Sequence, residues 1–377
     1  MKSGENKPKV LITGGHLTPA LAVAEELEER IGKDHLIWVG TKYTTTENTE
    51  TSAEFNTISR LGFRFVNLNS GKLFRKWNKF TIKSALYNLY LIPVGFVRAA
   101  KIIYKEQPDI VMSFGGYLAV PICFWARLKS IKVYTHEQTL TTGLANKIVA
   151  RFSSKVFVSW KENLKDYSED KAVFTGNPLP DIFKKAYKLP QKKLFNNDLI
   201  TIMITGGNQG SHRINEAVKP ILLKLLRNCN VIHQSGNTSP TYDYTELKKL
   251  EEKFKDMRGK YLVYDYDSTI NHALQMRNSD LVISRAGANT ITVLSLYKQK
   301  AILIPIPWSS KNEQLLNAKY YEKTGLGTVL EQDKLTPDSL LTLIEQMLNQ
   351  NNSLTVLKEI AIPLDAEIKI CDILLGD

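Results

Sequence analysis

Val10-Leu11-Ile12-Thr13-Gly14-Gly15 and Thr201-Ile202-Met203-Ile204-Thr205-Gly206-Gly207 carry the same pattern. Each is a short apolar run, a glycine pair and then a helical pattern. The helical pattern runs from Ala20 to Arg30 in the first and from Ile214 to about Leu226 in the second. Ile-Thr-Gly-Gly occurs in both. A run this short, bounded by glycine, fits a strand buried on both faces. Thr18 and Pro19 suit the N-cap and first-turn positions of the first helix. Two such β-loop-α openings, about 190 residues apart, predict two α/β domains of similar plan.

The flanking sequence extends this plan. Leu36–Val39, Ile110–Ser113, Val133–Thr135 and Val156–Val158 read as further strands of the first half, and Val231–His233, Leu281–Ser284 and Ile302–Pro305 as strands of the second. Helical stretches separate most of them, the pattern of a doubly wound parallel sheet. The polar, basic segment Tyr187–Asp198 predicts the boundary. The expected units are 1–186, 199–363 and a terminal helix over 364–377.

Composition narrows the class. The 377 residues are 43% hydrophobic and 23% charged, as in ordinary globular proteins and unlike disordered or collagenous ones. Cys123, Cys229 and Cys371 are scattered, without metal-ligand spacing, which excludes a disulfide framework and suits a reduced compartment. The longest uncharged apolar stretch, Leu89–Val97, holds Pro93 and Gly95 and is far shorter than the roughly 20 residues of a spanning helix. Met1–Lys9 is polar and shows no signal-peptide core. A peripheral rather than integral protein is expected.

In open α/β sheets, ligands bind beyond the carboxyl ends of the strands. The pairs Gly14-Gly15 and Gly206-Gly207 sit there, where backbone N–H groups and a helix start favour an anion. Ser284-Arg285-Ala286-Gly287-Ala288-Asn289-Thr290 is a third such turn. Neither glycine pair has dinucleotide-fingerprint spacing, and no P-loop lysine follows. Three turns in two domains favour a cleft for a phosphorylated ligand over three structural connections. His16, at the start of the first helix, is a candidate base, with a helix-capping role as the alternative. His136-Glu137-Gln138 follows a strand and is expected on the cleft rim.

The net charge is +12, from 50 basic and 38 acidic residues. Eight of the basic residues and no acid lie between Lys72 and Lys105, interleaved with Phe74, Trp77, Phe80, Tyr87, Tyr90, Phe96 and Tyr104. Cations with aromatic and aliphatic side chains suit an anionic membrane surface. A solvated helix face and a nucleic-acid patch are the alternatives. The apolar density of Leu86–Val97 favours the membrane over nucleic acid.

Taken in order, these motifs resemble the MurG family of peptidoglycan glycosyltransferases along nearly the whole chain. Thr13-Gly14-Gly15-His16 with Pro19–Ala24 is similar to its first glycine motif, and Phe114-Gly115-Gly116-Tyr117 with Pro121 to its second. His136-Glu137-Gln138, Gly143-Leu144 and Asn146-Lys147 resemble its His-Glu-Gln segment, and Thr175-Gly176-Asn177-Pro178 its next motif. Gly206-Gly207, Gln209-Gly210, Asn215, His233-Gln234, Ser284–Ala288, Gln314 and Asn317-Ala318 complete the series.

The resemblance implies a GT-B fold, two Rossmann-like domains facing a cleft. It implies transfer of N-acetylglucosamine from UDP-N-acetylglucosamine to the undecaprenyl-linked acceptor lipid I, with inversion and without a cofactor or obligatory metal. That reaction serves peptidoglycan and cell-wall synthesis, and through it cell division and cell shape, at the cytoplasmic face of the membrane. On this reading His16 and Glu137 are catalytic. Thr13, Gly14, Gly15, Gly115, Gly116, Tyr117, Gln138, Thr139, Asn146 and Asn177 line the first domain's substrate site. Gly207, Asn208, Gln209, Gly210, Arg285, Ala286, Gly287, Ala288, Asn289, Thr290, Glu313 and Gln314 line the donor site. Five positions depart from the family pattern: Pro180 for an Arg, Val293 for the ribose-binding Glu, Asn208 for a Ser, Thr139 for an Asn, and Glu313. They keep open a different sugar donor or lipid acceptor, or a catalytically weakened membrane-bound relative.

Overall fold

The computed structural model describes residues 7–43, 51–72, 82–207, 210–236, 241–265, 269–349 and 363–376. The chain divides into two compact units, Met1–Pro180 with Pro363–Asp377, and Asp181–Ile362.

In the first unit, β1 (Val10–Thr13), α1 (Leu17–Ile31), β2 (Leu36–Gly40), α2 (Ala53–Arg60), β3 (Arg64–Asn67), α3 (Ile82–Glu106), β4 (Ile110–Ser113), α4 (Ala119–Leu128), β5 (Lys132–Glu137), α5 (Leu144–Phe152), β6 (Lys155–Val158) and β7 (Ala172–Phe174) alternate. Their seven strands form one sheet in the order β3-β2-β1-β4-β5-β6-β7, and every pairing is parallel. The side-chain period of two shows why β1 and β2 read as unbroken apolar runs. Val10, Ile12, Leu36 and Trp38 pack into one core layer, with Ala20, Val23 and Leu27 of α1. Leu11, Ile37 and Val39 pack into the opposite layer, with Ala99 and Ile103 of α3 and Ile122 of α4. Truncating a residue such as Leu27, which is fully buried, costs roughly 2–5 kcal/mol.

The second unit runs α6 (Asp181–Lys188), β8 (Ile200–Thr205), α7 (His212–Val218), α8 (Leu222–Leu225), β9 (Cys229–Gln234), α9 (Asp243–Lys253), β10 (Tyr261–Tyr264), α10 (Thr269–Asn278), β11 (Leu281–Ser284), α11 (Ala288–Tyr297), β12 (Ala301–Leu303), α12 (Glu313–Glu322), β13 (Gly327–Val329) and α13 (Pro337–Asn349). Its six parallel strands are ordered β10-β9-β8-β11-β12-β13. The single helix expected over 214–226 is α7 and α8 joined by a 3-10 turn at Lys219–Ile221, because Pro220 lacks the N–H that would continue it. A last helix, α14 (Ala366–Leu375), follows.

Three boundary expectations are corrected. The division falls at Pro180, not within 187–198, because α6 and the segment after it pack on the second unit. Tyr297 Oη donates to the Phe183 carbonyl at 3.1 Å, Tyr187 stacks on Tyr297, and Arg277 donates to the Leu189 carbonyl at 3.0 Å. The terminal helix is not a separate unit. Ile370, Cys371 and Leu374 of α14 enter the core beside α1, and Arg30 pairs with Asp372 at 2.7 Å. At the start of α1, His16 rather than Thr18 holds the N-cap position, and its side chain makes no capping bond.

Pro93 and Gly95 do not interrupt α3, which runs 25 residues. By length and composition it is long and apolar enough to cross a membrane. One face carries Leu91, Gly95, Ala99 and Ile103 into the unit. The other exposes Leu86, Tyr87, Leu89, Tyr90, Val97 and Tyr104. Phe74, Arg75, Lys76, Trp77, Lys79 and Phe80 of the basic segment lie outside the described residues.

Candidate active site

In the first unit, β1 and β4 are neighbours whose connections leave toward opposite sides of the sheet, the switch point where α/β sheets open a crevice. Their glycine turns meet there. A Cβ on Gly15, at φ +145°, would lie 2.6 Å from the Gly115 carbonyl oxygen. Only a bare backbone lets the two turns approach this closely. Thr13 ends β1 fully buried, and its hydroxyl has no partner among the described residues. Tyr117 follows the second turn, half-buried.

His16 leads out of the first turn. Burial pulls its pKa below the ordinary value, and the Glu137 charge opposes part of that shift. A neutral, half-buried imidazole beside a carboxylate has the chemistry of a general base.

His136-Glu137-Gln138 does not lie on a rim. β5 extends through Glu137, and the three side chains are only 1%, 1% and 2% exposed. Burial of the Glu137 carboxylate is tolerated because the chain supplies its partners. Glu137 Oε1 accepts from the Thr139 N–H at 3.1 Å and lies 2.8 Å from the Thr139 hydroxyl. Its Oε2 accepts from the Gly143 N–H at 3.0 Å and from Asn146 Nδ2 at 3.0 Å. Both oxygens are engaged, so Glu137 braces the 139–146 loop, and its charge acts on His16. Asn146 also donates to the His136 carbonyl at 3.1 Å. Thr139, a departure from the family pattern, is used up in this network.

His136 Nε2 lies 3.3 Å from the Gly176 carbonyl oxygen and 3.2 Å from the Ser159 hydroxyl. Burial drops its pKa to about 3; it is a neutral core histidine. Through Gly176 it orients Asn177, itself 4% exposed.

In the second unit, the turn after β8 closes on itself. A Cβ on Gly206 would lie 2.3 Å from Ser211 N, and one on Gly210 2.0 Å from the Ser235 carbonyl oxygen. Gly207 N donates to Thr205 Oγ1 at 3.0 Å. Asn208 and Gln209 lie outside the described residues.

Arg285 is 7% exposed and donates to three neutral oxygens: the Ile304 carbonyl at 3.0 Å, Ser211 Oγ at 2.6 Å and Gln332 Oε1 at 2.7 Å. Among the described residues it has no carboxylate partner. Desolvation, with the Arg213 charge, pulls its pKa down to about 10. It therefore ties the turns after β8, β11 and β12 together instead of reaching out to a ligand. Sequence reasoning missed Ser211 and Gln332, which carry no motif and acquire their part only from the fold. Gln314 accepts from the N–H groups of Ala286 at 3.3 Å and Ile306 at 3.1 Å, and Asn317 donates to the Ala286 carbonyl at 3.1 Å.

Gly287 caps α11, with Ala288 buried and Asn289 and Thr290 half-buried behind it. The α11 cap carries no side-chain hydrogen bond, and the first turn holds no acid, so the positive end of this helix suits an anion. Glu313 begins α12 after two consecutive left-handed residues, Lys311 and Asn312, strain of a kind that gathers at functional sites. Val293 is 3% exposed, in the core side of α11.

Residues 13–158 match the glycosyltransferase family 28 N-terminal domain, and residues 201–362 match the family 28 C-terminal domain. Curated relatives named UDP-N-acetylglucosamine–N-acetylmuramyl-(pentapeptide) pyrophosphoryl-undecaprenol N-acetylglucosamine transferase extend the match. The one from Clostridium perfringens is 35% identical over 90% of each chain. This chain belongs to the MurG family of glycosyltransferases.

A relative from Clostridium novyi is 34% identical over 92% of each chain. Among solved structures, MurG of Acinetobacter baumannii superposes with a TM-score of 0.69 at 24% identity, covering 98% of this chain and 100% of that one. A UDP-N-acetylglucosamine 2-epimerase from Listeria monocytogenes gives a TM-score of 0.61 at 13% identity, covering 97% and 95%. These two likenesses show a shared architecture. With two parallel-sheet Rossmann-like units, the MurG-family chain has the GT-B fold.

Proposed function

We propose that this chain is an inverting transferase that moves N-acetylglucosamine from UDP-N-acetylglucosamine to lipid I, forming lipid II for peptidoglycan. The observation that carries this reading is the 35% identity over 90% of each chain with relatives named for that reaction. The site chemistry supports it. His16, held neutral by burial, takes the proton of the acceptor hydroxyl as its oxygen bonds to the anomeric carbon. The bond from that carbon to the diphosphate oxygen breaks, and UDP leaves with the electron pair. The glycine turn after β8 lets a diphosphate approach closely, and the positive N-terminal end of α11 stabilises the charge that develops on it. The Arg285 struts hold these turns in place before substrate arrives.

The exposed apolar face of α3, with Lys83, Arg98, Lys101 and Lys105 on the same helix, supports a peripheral seat on the anionic inner face of the membrane, where a lipid-linked acceptor resides.

Calorimetric titration with UDP-N-acetylglucosamine, UDP-glucose and UDP tests the donor. Binding of the N-acetylglucosamine donor about tenfold or more tighter than UDP-glucose, roughly 1.4 kcal/mol, is expected. No binding of any uridine nucleotide would overturn the reading. Binding of UDP with no preference for the N-acetylglucosamine donor would favour a relative with another sugar, a reading that Val293 motivates.

A further inference from the structure

Glu54 has no place in the motifs or in the reaction above, yet it lies at the rim of the first unit's sheet. It stands in the first turn of α2, whose N-cap Ser52 accepts from the Phe55 N–H at 3.1 Å. From there its carboxyl reaches back over the ends of β1 and β2. Oε1 accepts from Trp38 Nε1 at 2.9 Å. The carboxyl fills the space that side chains would take on two strand-end glycines. A Cβ on Gly14 would lie 1.6 Å from Oε1, and one on Gly40 2.6 Å from Oε2. Glu54 therefore touches the Gly14-Gly15 turn from the β2 side, opposite the side on which the β4 turn meets it. Tyr117, after the β4 turn, feels the Glu54 charge, which helps raise its phenol pKa.

No cation accompanies this carboxyl among the described residues. Burial pushes its pKa up, outweighing the hydrogen bonds from Trp38 and the Thr41 backbone. A peg that only joined α2 to Trp38 and the Thr41 backbone needs acceptor oxygens but no net charge. A desolvated carboxylate without a cation is a cost to the fold, and groups of that kind gather at functional sites. In dinucleotide-binding α/β sheets an acid beyond the first glycine turn receives a hydrogen bond from a ribose hydroxyl of the ligand.

We propose that Glu54 is an acceptor-binding residue, its carboxylate receiving a hydrogen bond from a sugar hydroxyl of the substrate that enters the first unit. This rests on the transferase reading, with a sugar-bearing acceptor on the first unit. It adds a recognition point on the β2 side of the glycine turn, away from His16 and Glu137.

The test compares wild type, Glu54→Gln and Gly40→Ala by steady-state kinetics with UDP-N-acetylglucosamine and a soluble lipid I analogue, and by thermal melting. Glu54→Gln keeps an oxygen for Trp38 and removes the charge. It is expected to raise the acceptor KM about ten- to hundredfold, leave the donor KM unchanged, and leave the melting temperature unchanged or higher. Gly40→Ala keeps the charge and pushes the carboxyl aside; Gly40 has no left-handed φ, so its backbone accepts alanine. It is expected to raise the acceptor KM in the same direction. A Glu54→Gln protein with wild-type acceptor KM would overturn the proposal while leaving the transferase reading intact. A lowered melting temperature with both KM values disturbed would make Glu54 a structural peg. A wild type that neither binds nor converts the acceptor would overturn both.

Discussion

Arg285 Nη2 donates to Ser211 Oγ at 2.6 Å, and this bond joins the turn after β11 to the turn after β8. The same guanidinium also holds the Ile304 carbonyl and Gln332. An ammonium reaches one of these oxygens where the planar fork reaches three. Arg285→Lys is therefore expected to weaken UDP binding about tenfold or more, since charged hydrogen bonds contribute roughly 1.5–3 kcal/mol each. Calorimetry of UDP binding reads this directly. Unchanged affinity would mean that the two turns hold their places without the strut.

His16→Ala is expected to lower kcat about a hundredfold or more, the usual scale of general-base loss, with UDP-N-acetylglucosamine affinity retained. The pH profile carries a second signature. The base must be neutral, and its folded pKa lies below 6.5. Wild-type kcat/KM should then fall only as pH drops through that lowered value. Equal loss of donor affinity and turnover in the variant would remove His16 from the base position.

Two buried histidines make the fold acid-labile. His233 Nε2 lies 3.0 Å from Asn215 Oδ1, and its Nδ1 lies 3.0 Å from Tyr261 Oη. Burial brings both His136 and His233 to about 3, from an ordinary 6.5. Each unfolded histidine gains its proton near pH 6.5, whereas the folded one resists until about pH 3. Stability is thus full above pH 6.5 and declines as pH falls toward 3, with a slope near 1.4 kcal/mol per pH unit per histidine. Melting temperature against pH should show this decline. His233→Gln should show a shallower one, and an identical slope would deny His233 its share.

The exposed face of α3 gives a membrane prediction. Leu89→Asp with Tyr90→Asp removes two exposed apolar groups without touching the buried stripe. Binding to vesicles containing an anionic phospholipid should fall about tenfold or more, given roughly 1.5–3 kcal/mol per apolar side chain buried. Unchanged sedimentation with vesicles would place the membrane face elsewhere.

What the sequence made legible follows burial. β1, β4, β8 and β11 are covered on both faces and read as apolar runs. β3, β7, β10 and β13 went unread, because edge strands need not be apolar: Arg64 and Asn67 at the ends of β3 are exposed. The glycine turns were legible because close backbone approach demands a specific residue. The engagement of Glu137 and Arg285 was not. A charged residue at a strand end reads alike whether it faces substrate or is caged by Thr139, Asn146, Ser211 and Gln332, partners that only the fold assembles. Glu54 was invisible for the same reason, being 40 residues beyond the glycine turn that it touches.

The most direct measurement is transfer itself: the purified protein with UDP-N-acetylglucosamine and a soluble lipid I analogue, the product followed by mass and anomeric configuration. A β-linked N-acetylglucosaminyl product, formed with stoichiometric UDP release and about a hundredfold or more slower with His16→Ala, is expected. UDP-N-acetylglucosamine that binds but is never transferred to this acceptor would contradict the assignment.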